Sequence, residues 1–437
     1  MNARQAPFIV AAAAALIGAA IGLALRGVEP AATWLYQAAW YPTIVGMSAL
    51  VARREGSDPL TANPLHALSL FAWSAVFWFF FELLNWRLDN WYYINVPAGR
   101  AERWIGISLA FATVLPAIFL AARTLESWNV LRSVRSRPMK VTAAGLRLTS
   151  VAGLVFLVLP LLWPRWFFPL VWGATTLLAE PALYRRERRW SLIGDLERGE
   201  LGRILRLLLG GAGIGLLWEL YNSIARSRWI YTVPGLENLK LFEMPLLGFL
   251  GFPVFALECW SVFHLLACFG ISTPEQPASR PGRLRRKVVT AAAGVAFSVC
   301  VLAGMERFSI SSTTPQLLGV PGLPASVAFR LGAAGKSPFT IAHEPASALA
   351  RETDASMDQA LRWIESARLC TLRGIGTDNA RRLMRIGVAD VATLARQDPD
   401  TLVARLRAAR GGAAWRPTPA EARVWVRAAR AVYGWAS

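Results

Sequence analysis

Two carboxylates close long apolar runs, and each has an amide three positions on. Glu82-Leu-Leu-Asn85 stands in FFFELLNWRLDNWYYINVP, and Glu219-Leu-Tyr-Asn222 stands in LLWELYNSIARSRWIYTVP, at a spacing of 137. Residues three apart share one face of a helix. An ionisable group at membrane depth is costly and marks a functional site by default. The same spacing links Val96-Pro97 to Val233-Pro234 and Leu115-Pro116 to Phe252-Pro253, which points to an internal duplication. The second copy holds further acids, Glu180, Glu243 and Glu258, and Ala121 stands where the first copy would have Glu258. A duplicated shell with acids concentrated in one half reads as one asymmetric polar site formed by Glu82, Asn85, Glu219, Asn222, Glu243 and Glu258. Pro116, Pro245 and Pro253 are expected to loosen the helices around it. The plainer alternative is that each glutamate caps its following loop or pairs with Arg87, Arg226 or Arg228.

The elements that position these groups are membrane spans. The chain is 54% hydrophobic and carries 19 Trp. Runs of about 18 or more apolar residues are long enough to cross a hydrocarbon core of ~30 Å. Nine candidates are read at 8–25, 33–51, 67–85, 104–122, 147–163, 165–183, 204–222, 243–269 and 288–304. The first is followed by Arg26-Gly-Val-Glu-Pro, a poor cleavage site, and reads as a signal anchor or ordinary span. Of the net charge of +19, much lies between the spans. Arg53-Arg54, then Arg123 to Lys140, then Arg185 to Arg189, then Arg280 to Lys287 follow the even-numbered spans. The positive-inside rule places those loops and the N-terminus in the cytoplasm, and an odd span count leaves the C-terminal tail outside.

Upstream of Glu82, Trp40-Tyr41-Pro42 with Gly46 matches Phe167-Phe168-Pro169 with Gly173 at a spacing of 127, as if the second copy had gained about ten residues in a cytoplasmic loop. Each copy then holds four spans. An even number gives both copies the same orientation, so the repeats are parallel, about an axis near the membrane normal. The expected organisation is a first repeat at 1–143, a second at 144–270, a linker and ninth span at 271–304, and a tail at 305–437. Trp86, Trp91, Tyr92, Tyr93 and Trp104 in the first outer loop, and Trp229 and Tyr231 in the second, suit an interfacial belt or an aromatic-walled cleft.

The tail has ordinary soluble composition and its own duplication. Pro321-Gly322-Leu323-Pro324 leads into Ala328 to Leu331 and Gly335; at a spacing of 52, Arg373-Gly374-Ile375-Gly376 leads into Ala380 to Leu383 and Gly387. Thr418-Pro419-Ala420-Glu421 has capping-box spacing. The Gly374-Ile375-Gly376 turn with Ala380, Leu383 and Gly387 resembles the helix-hairpin-helix family, and with the degenerate first copy it is similar to the tandem form. In DNA-binding members such a turn offers backbone N–H groups to a phosphate without reading sequence. The resemblance implies a phosphate site at Gly374, Ile375 and Gly376, with Arg381 and Arg382 adding contacts. From 365 to 437 there are 13 Arg against 6 acidic residues, a balance that favours polyanions. Against this, Pro324 has no N–H to give and Asp378 repels phosphate, and many such domains only contact protein.

The segment from Trp218 to Glu258 resembles uncharacterised bacterial multi-pass proteins with a Trp-Glu-x-x-Asn…Phe-Glu-Met-Pro-Leu-Leu-Gly-Phe-Leu-Gly-Phe-Pro…Leu-Glu pattern, which implies the bacterial inner membrane and no particular activity. A looser similarity is to membrane carotenoid cyclases and hydratases, whose intramembrane carboxylates protonate an isoprenoid double bond; the cyclases' paired acidic motif is absent here. Three His and four Cys show no metal or redox spacing, so no metal or cofactor is expected. The expected fold is all-α: a polytopic helical membrane protein of about nine spans with a duplicated four-helix unit, plus a small tandem helix-hairpin-helix domain. The leading functional expectation is a membrane protein of undetermined activity, in contact with lipid, with a polar intramembrane site and a tail that meets a protein partner. The alternatives are an enzyme on an isoprenoid or other lipid with Glu219 or Glu258 as general acid, a small-solute transporter, and a membrane-tethered non-specific DNA binder.

Overall fold

The computed structural model describes residues 4–233, 239–277, 283–409 and 416–434. Pro234, Arg280 and residue 437, which entered the repeat and topology expectations, lie outside the described residues. The chain is all-α, 72% helical, and forms two compact units. The first comprises 1–90, 104–225 and 233–303; the second comprises 91–103, 226–232 and 304–437. The second unit thus opens near the expected tail boundary but also takes in the two aromatic loops.

The first unit is built on α1 (Ala6–Leu25), α2 (Leu35–Glu55), a one-turn α3 (Pro59–Ala62), α4 (Pro64–Leu88), α5 (Arg100–Ala112), α6 (Val114–Ser127), α7 (Ala143–Leu162), a one-turn α8 (Pro164–Phe167), α9 (Val171–Arg186), α10 (Leu192–Arg198), α11 (Gly202–Ile224), α12 (Gly251–Cys268) and α13 (Leu284–Phe308). α5 and α13 each begin or end in the second unit. Among the described residues, seven helical stretches are long and apolar enough to cross a bilayer: α1, α4, α5 with α6, α7, α11, the segment Leu246–Cys268 that contains α12, and α13. The expected second and sixth spans form α2 and α9, which are not among those seven. α9 is interrupted at Trp172 and Gly173, where Gly173 takes φ 105°.

Element bounds follow the same spacing of 137 that relates Glu82 to Glu219. Ala6 and Leu25 bound α1 as Ala143 and Leu162 bound α7, and Val114 opens α6 as Gly251 opens α12. The shift of 127 expected upstream would place α7 ten positions earlier. Pro116 and Pro253 are each the third residue of their helix. A proline in the first turn has no intrahelical N–H to lose, so both residues start helices rather than loosen them. Equivalent positions meet these prolyl segments. The Ser74 hydroxyl donates to the Phe111 carbonyl (2.6 Å) and accepts from the Leu115 N–H (3.0 Å). Gly211, its counterpart, abuts Phe252, Pro253 and Ala256 closely enough to leave no room for a Cβ.

The second unit carries α14 (Ala325–Ala333), α15 (Pro338–Ile341), α16 (Ala346–Thr353), α17 (Met357–Thr371), α18 (Gly376–Arg385), α19 (Val391–Ala395), α20 (Pro399–Ala408) and α21 (Pro419–Val432). Caps set these short helices: Ser337, Ser356 and Thr418 each close a capping box, and Asp390 and Asp398 cap α19 and α20. Two strands, β1 (Trp91–Ile94) and β2 (Arg228–Tyr231), pair antiparallel, with Trp91 opposite Tyr231 and Ile94 opposite Arg228. The segment 309–314 runs along the other edge of β1 in parallel, through Tyr93 N–H to Ser309 O (2.8 Å) and Thr314 N–H to Val96 O (2.9 Å). A short ribbon of β3 (Lys240–Leu241) and β4 (Met244–Pro245) precedes the α12 segment. The first aromatic loop is therefore core rather than interfacial belt: Tyr92, Ile94 and Ile230 are buried together against Val424.

Candidate functional site

Every residue expected in the intramembrane site is buried. Glu82, Glu219, Asn222 and Glu258 have no exposed surface, and Asn85 and Glu243 have almost none. Glu82 and Asn85 lie on α4, and Glu219 and Asn222 on α11. The two helices meet through Trp78 and Trp218, whose rings are 5.3 Å apart. Trp40 of α2 completes that wall, 6.1 Å from Trp218 and 5.4 Å edge-on to Tyr221. The Tyr221 hydroxyl donates to Thr43 Oγ1 (3.0 Å), which itself donates to the Ala39 carbonyl (2.8 Å). Buried Tyr36 sits within electrostatic reach of Glu219. The Glu219 side of the site is thus made by α2, α4 and α11, and is hydroxyl- and indole-rich.

Asn85 also has a local task. Its Oδ1 accepts the Asn90 N–H (2.9 Å), while the Asp89 N–H bonds the Asn85 carbonyl (2.8 Å). These bonds close the C-terminus of α4, where Asp89 takes φ 51°. Glu243 lies between β3 and β4, outside the helices.

Glu258 and Glu180 both serve α9. Glu258 Oε1 accepts the N–H groups of Gly173 (2.7 Å) and Thr175 (3.0 Å), the donors freed where the helix breaks. At the spacing of 137 the counterpart of Gly173 is Tyr36, the second residue of α2, and the residue at the Glu258 position is Ala121. The extra carboxylate therefore occurs in one copy only, at the point where α9 breaks and its counterpart α2 begins. Glu180 Oε2 accepts from the Ser191 hydroxyl (2.7 Å) and the Ile193 N–H (3.1 Å), and Oε1 from the Ser261 hydroxyl (2.7 Å). It ties α9 to the start of α10 and to α12. Thr175, Ser261, Tyr36 and Thr43 had no signal in the sequence beyond lying in apolar runs, and Ser191, in a basic loop, had none. Gly173 was visible as a repeat landmark and not as a break.

In the C-terminal unit the glycine turn faces inward. Arg373, Gly374 and Gly376 take φ 43°, 70° and 75°. Gly374, Ile375 and Gly376 are buried. Ile94 fills the space above Gly374, and Ser312 and Thr313 the space above Gly376. The Ser312 hydroxyl donates to the Gly374 carbonyl, and Asn379 Nδ2 donates to the Ser311 carbonyl (3.1 Å). Arg381 is exposed beside Asp378 (3.4 Å), and Arg382 donates to Asn379 Oδ1 (3.1 Å). Gly322, the counterpart of Gly374, has φ 77° and open space around it.

Residues 339–432 match the family described as Domain of unknown function (DUF4332). No curated protein and no solved structure matches the chain. The DUF4332 match runs from α15 to the end of α21 and includes the buried turn. Its elements keep the repeat order of the tail: α18 follows the pattern of α14, and α19 and α20 follow α15 and α16. Among the described residues no group of three or more His, Cys, Asp or Glu is placed to hold a metal.

Proposed function

We propose that this chain is an integral membrane protein of the small-solute- or ion-handling kind. Its polar site lies within two parallel four-helix repeats, and its tandem helix-hairpin-helix tail clamps the repeats' outer loops. The observation that carries the repeat reading is the register of β1 and β2. Moving each strand residue to its counterpart in the other copy, at the spacing of 137, exchanges the pair Trp91–Tyr231 with the pair Arg228–Ile94, which is itself a pair of the ribbon. A two-fold axis through the ribbon accounts for this, and parallel repeats have such an axis along the membrane normal.

We infer that α2 and α9 cross the membrane as well, for nine crossings. Paired strands share one side, so an even number of crossings separates β1 from β2. α5 with α6, α7 and α11 make three, and α9 supplies the fourth. The loops at the other side agree. Ser136 N–H bonds Gly199 O and Met139 N–H bonds Leu196 O, so α7 and α9 cross as a pair. α2 runs alongside α5 and α6. Gln37 donates to the Gly106 carbonyl (2.8 Å) and Tyr41 to the Leu109 carbonyl (3.1 Å), while Glu55 meets Arg123 (2.7 Å). At 1.5 Å per residue, 106 to 123 is a rise of about 25 Å. Nine crossings put the basic loops in the cytoplasm of a bacterial inner membrane and the tail outside.

The break in α9 favours solute or ion handling, because discontinuous helices whose half-helix ends point into the membrane interior form transport sites. The buried turn favours protein contact over DNA for the tail, and that contact is with the chain's own Ile94 and Ser312. The test is access of water to the break. Thr176→Cys, in a chain with the other cysteines replaced, should react with a membrane-impermeant thiol reagent from at least one side in proteoliposomes. Complete protection from both sides would leave a scaffold or a lipid-facing enzyme.

A further inference from the structure

The break in α9 leaves more polar atoms than Glu258 satisfies. Oε1 of Glu258 takes both freed N–H groups. Oε2 is buried and finds no hydrogen-bond partner among the described residues, and the same holds for Thr175 Oγ1 and Thr176 Oγ1 in the first turn of the half-helix. The Thr175 hydroxyl lies beside the carboxyl group without the geometry of a hydrogen bond. Three buried oxygens on the residues of this helix break and its cap thus find no hydrogen-bond partner among the described residues.

We propose that Glu258 carries an exchangeable proton and that the break in α9 is a proton-binding site inside the membrane, which rests on the reading of α9 as a crossing and deepens it. Protonation converts Oε2 from an acceptor to an O–H donor, with the neighbouring Thr175 hydroxyl as its acceptor, while Oε1 keeps its two N–H bonds. On release the carboxylate regains its charge, held by those N–H groups and the half-helix dipole. A metal cation is disfavoured, because the same helix end presents N–H groups and a positive dipole and no carbonyl ligands.

Among the described residues, no neighbouring charge forms an ion pair with Glu258. On α9, Glu180 is engaged by Ser191, Ile193 and Ser261. On α11, Glu219 belongs with Tyr36, and the cations Arg203 and Arg206 pair with Asp195 and Glu126. On α6, Arg123 pairs with Glu55 and Glu275. On α12 itself, His264 Nδ1 bonds the Trp260 carbonyl (2.9 Å) and Cys259 is buried. The 3-10 turn before α12 carries no charge.

Dicyclohexylcarbodiimide, which enters the hydrocarbon and needs a protonated carboxyl group, is the probe. The full chain in nanodiscs is treated across a pH series and mapped by mass spectrometry. The expected result is an N-acylurea adduct on Glu258 that declines severalfold as the medium is made alkaline and is lost in Glu258→Gln. The glutamine retains an oxygen for the two N–H groups. Should that variant fail to fold, infrared spectroscopy of the wild type decides: a protonated-carboxyl C=O band must shift in heavy water and fade at high pH. No adduct on Glu258, or an adduct indifferent to pH, overturns the proposal. An adduct on Glu258 with a fully protected Thr176→Cys keeps the proton site and removes the solute path; an accessible cysteine without the adduct does the reverse.

Discussion

The side chain of Ile94 occupies the space that a Cβ at Gly374 would need. Gly374 also requires φ 70°, as Gly322 in the first copy of the tail requires φ 77°, but Gly322 faces open space. The pair therefore separates backbone strain from docking. Gly322→Ala should cost about 1 kcal/mol, the price of the left-handed conformation. Gly374→Ala adds overpacking and should cost about 2–4 kcal/mol. Cys370 reports the difference. It is buried, and burial pushes its thiol up to about 12, so it is inert in the closed unit. Maleimide should reach Cys370 much faster in Gly374→Ala than in Gly322→Ala. Equal rates would mean that the turn is not held by Ile94.

The covered turn also sets the expectation for nucleic acid. With Gly374, Ile375 and Gly376 buried, the remaining cations are a surface charge without a phosphate cradle. In a gel-shift titration near physiological salt, the full chain in detergent should not retard duplex DNA. Arg381→Ala with Arg382→Ala should change nothing. Micromolar binding that weakens in this double variant, with a flatter salt slope, would restore the phosphate site.

How much was legible in the sequence varied with the range of the interaction. Glu82 and Glu219 stood out because a duplication repeats local sequence, and their burial follows from apolar runs read one segment at a time. Tyr92 and Ile94 did not. Aromatic residues after a span suit a lipid interface, and the short strand they form is fixed by β2 and by 309–314, both far along the chain. Glu258 was legible as an acid without a counterpart, but its task was not, because Gly173 appears in sequence as one more glycine. α2 and α9 fall outside the seven because α9 has only 16 residues and α2 is less apolar and ends in Arg53, Arg54 and Glu55. The proposal that they cross rests on the pairings of their neighbours.

Glu258 should be the least replaceable acid of the membrane region. Glu258→Ala leaves two N–H groups without partners in a medium that offers none, which should cost about 2–4 kcal/mol. Glu258→Gln keeps an acceptor and should cost about 1 kcal/mol or less. Thermal unfolding of detergent-solubilised variants checks the order. Alanine and glutamine variants of equal stability would mean that the break in α9 is satisfied by something other than this side chain.

The crossing count has a direct test in side-specific labelling. Ala98, Ser133 and Ser347 are exposed and lie in the first outer loop, in the basic loop after α6, and in the tail. Single cysteines at these positions, in a chain with the four native cysteines replaced, are probed with an impermeant maleimide on intact spheroplasts and on inverted vesicles. If α2 and α9 both cross, positions 98 and 347 react in spheroplasts and position 133 reacts only in inverted vesicles. Were α9 to turn back without crossing, positions 98 and 347 would fall on opposite sides and β1 could not pair with β2. If α2 alone failed to cross, 98, 133 and 347 would keep the same relative sides, and only a fourth cysteine near the N-terminus would change. Exposed Gln5 serves as that position. Gln5→Cys is expected to react with 133, on the side of the basic loops, because α1 and α2 then cross as a pair. Labelling of position 5 from the side of 98 would remove α2 from the spans and break the four-helix repeat.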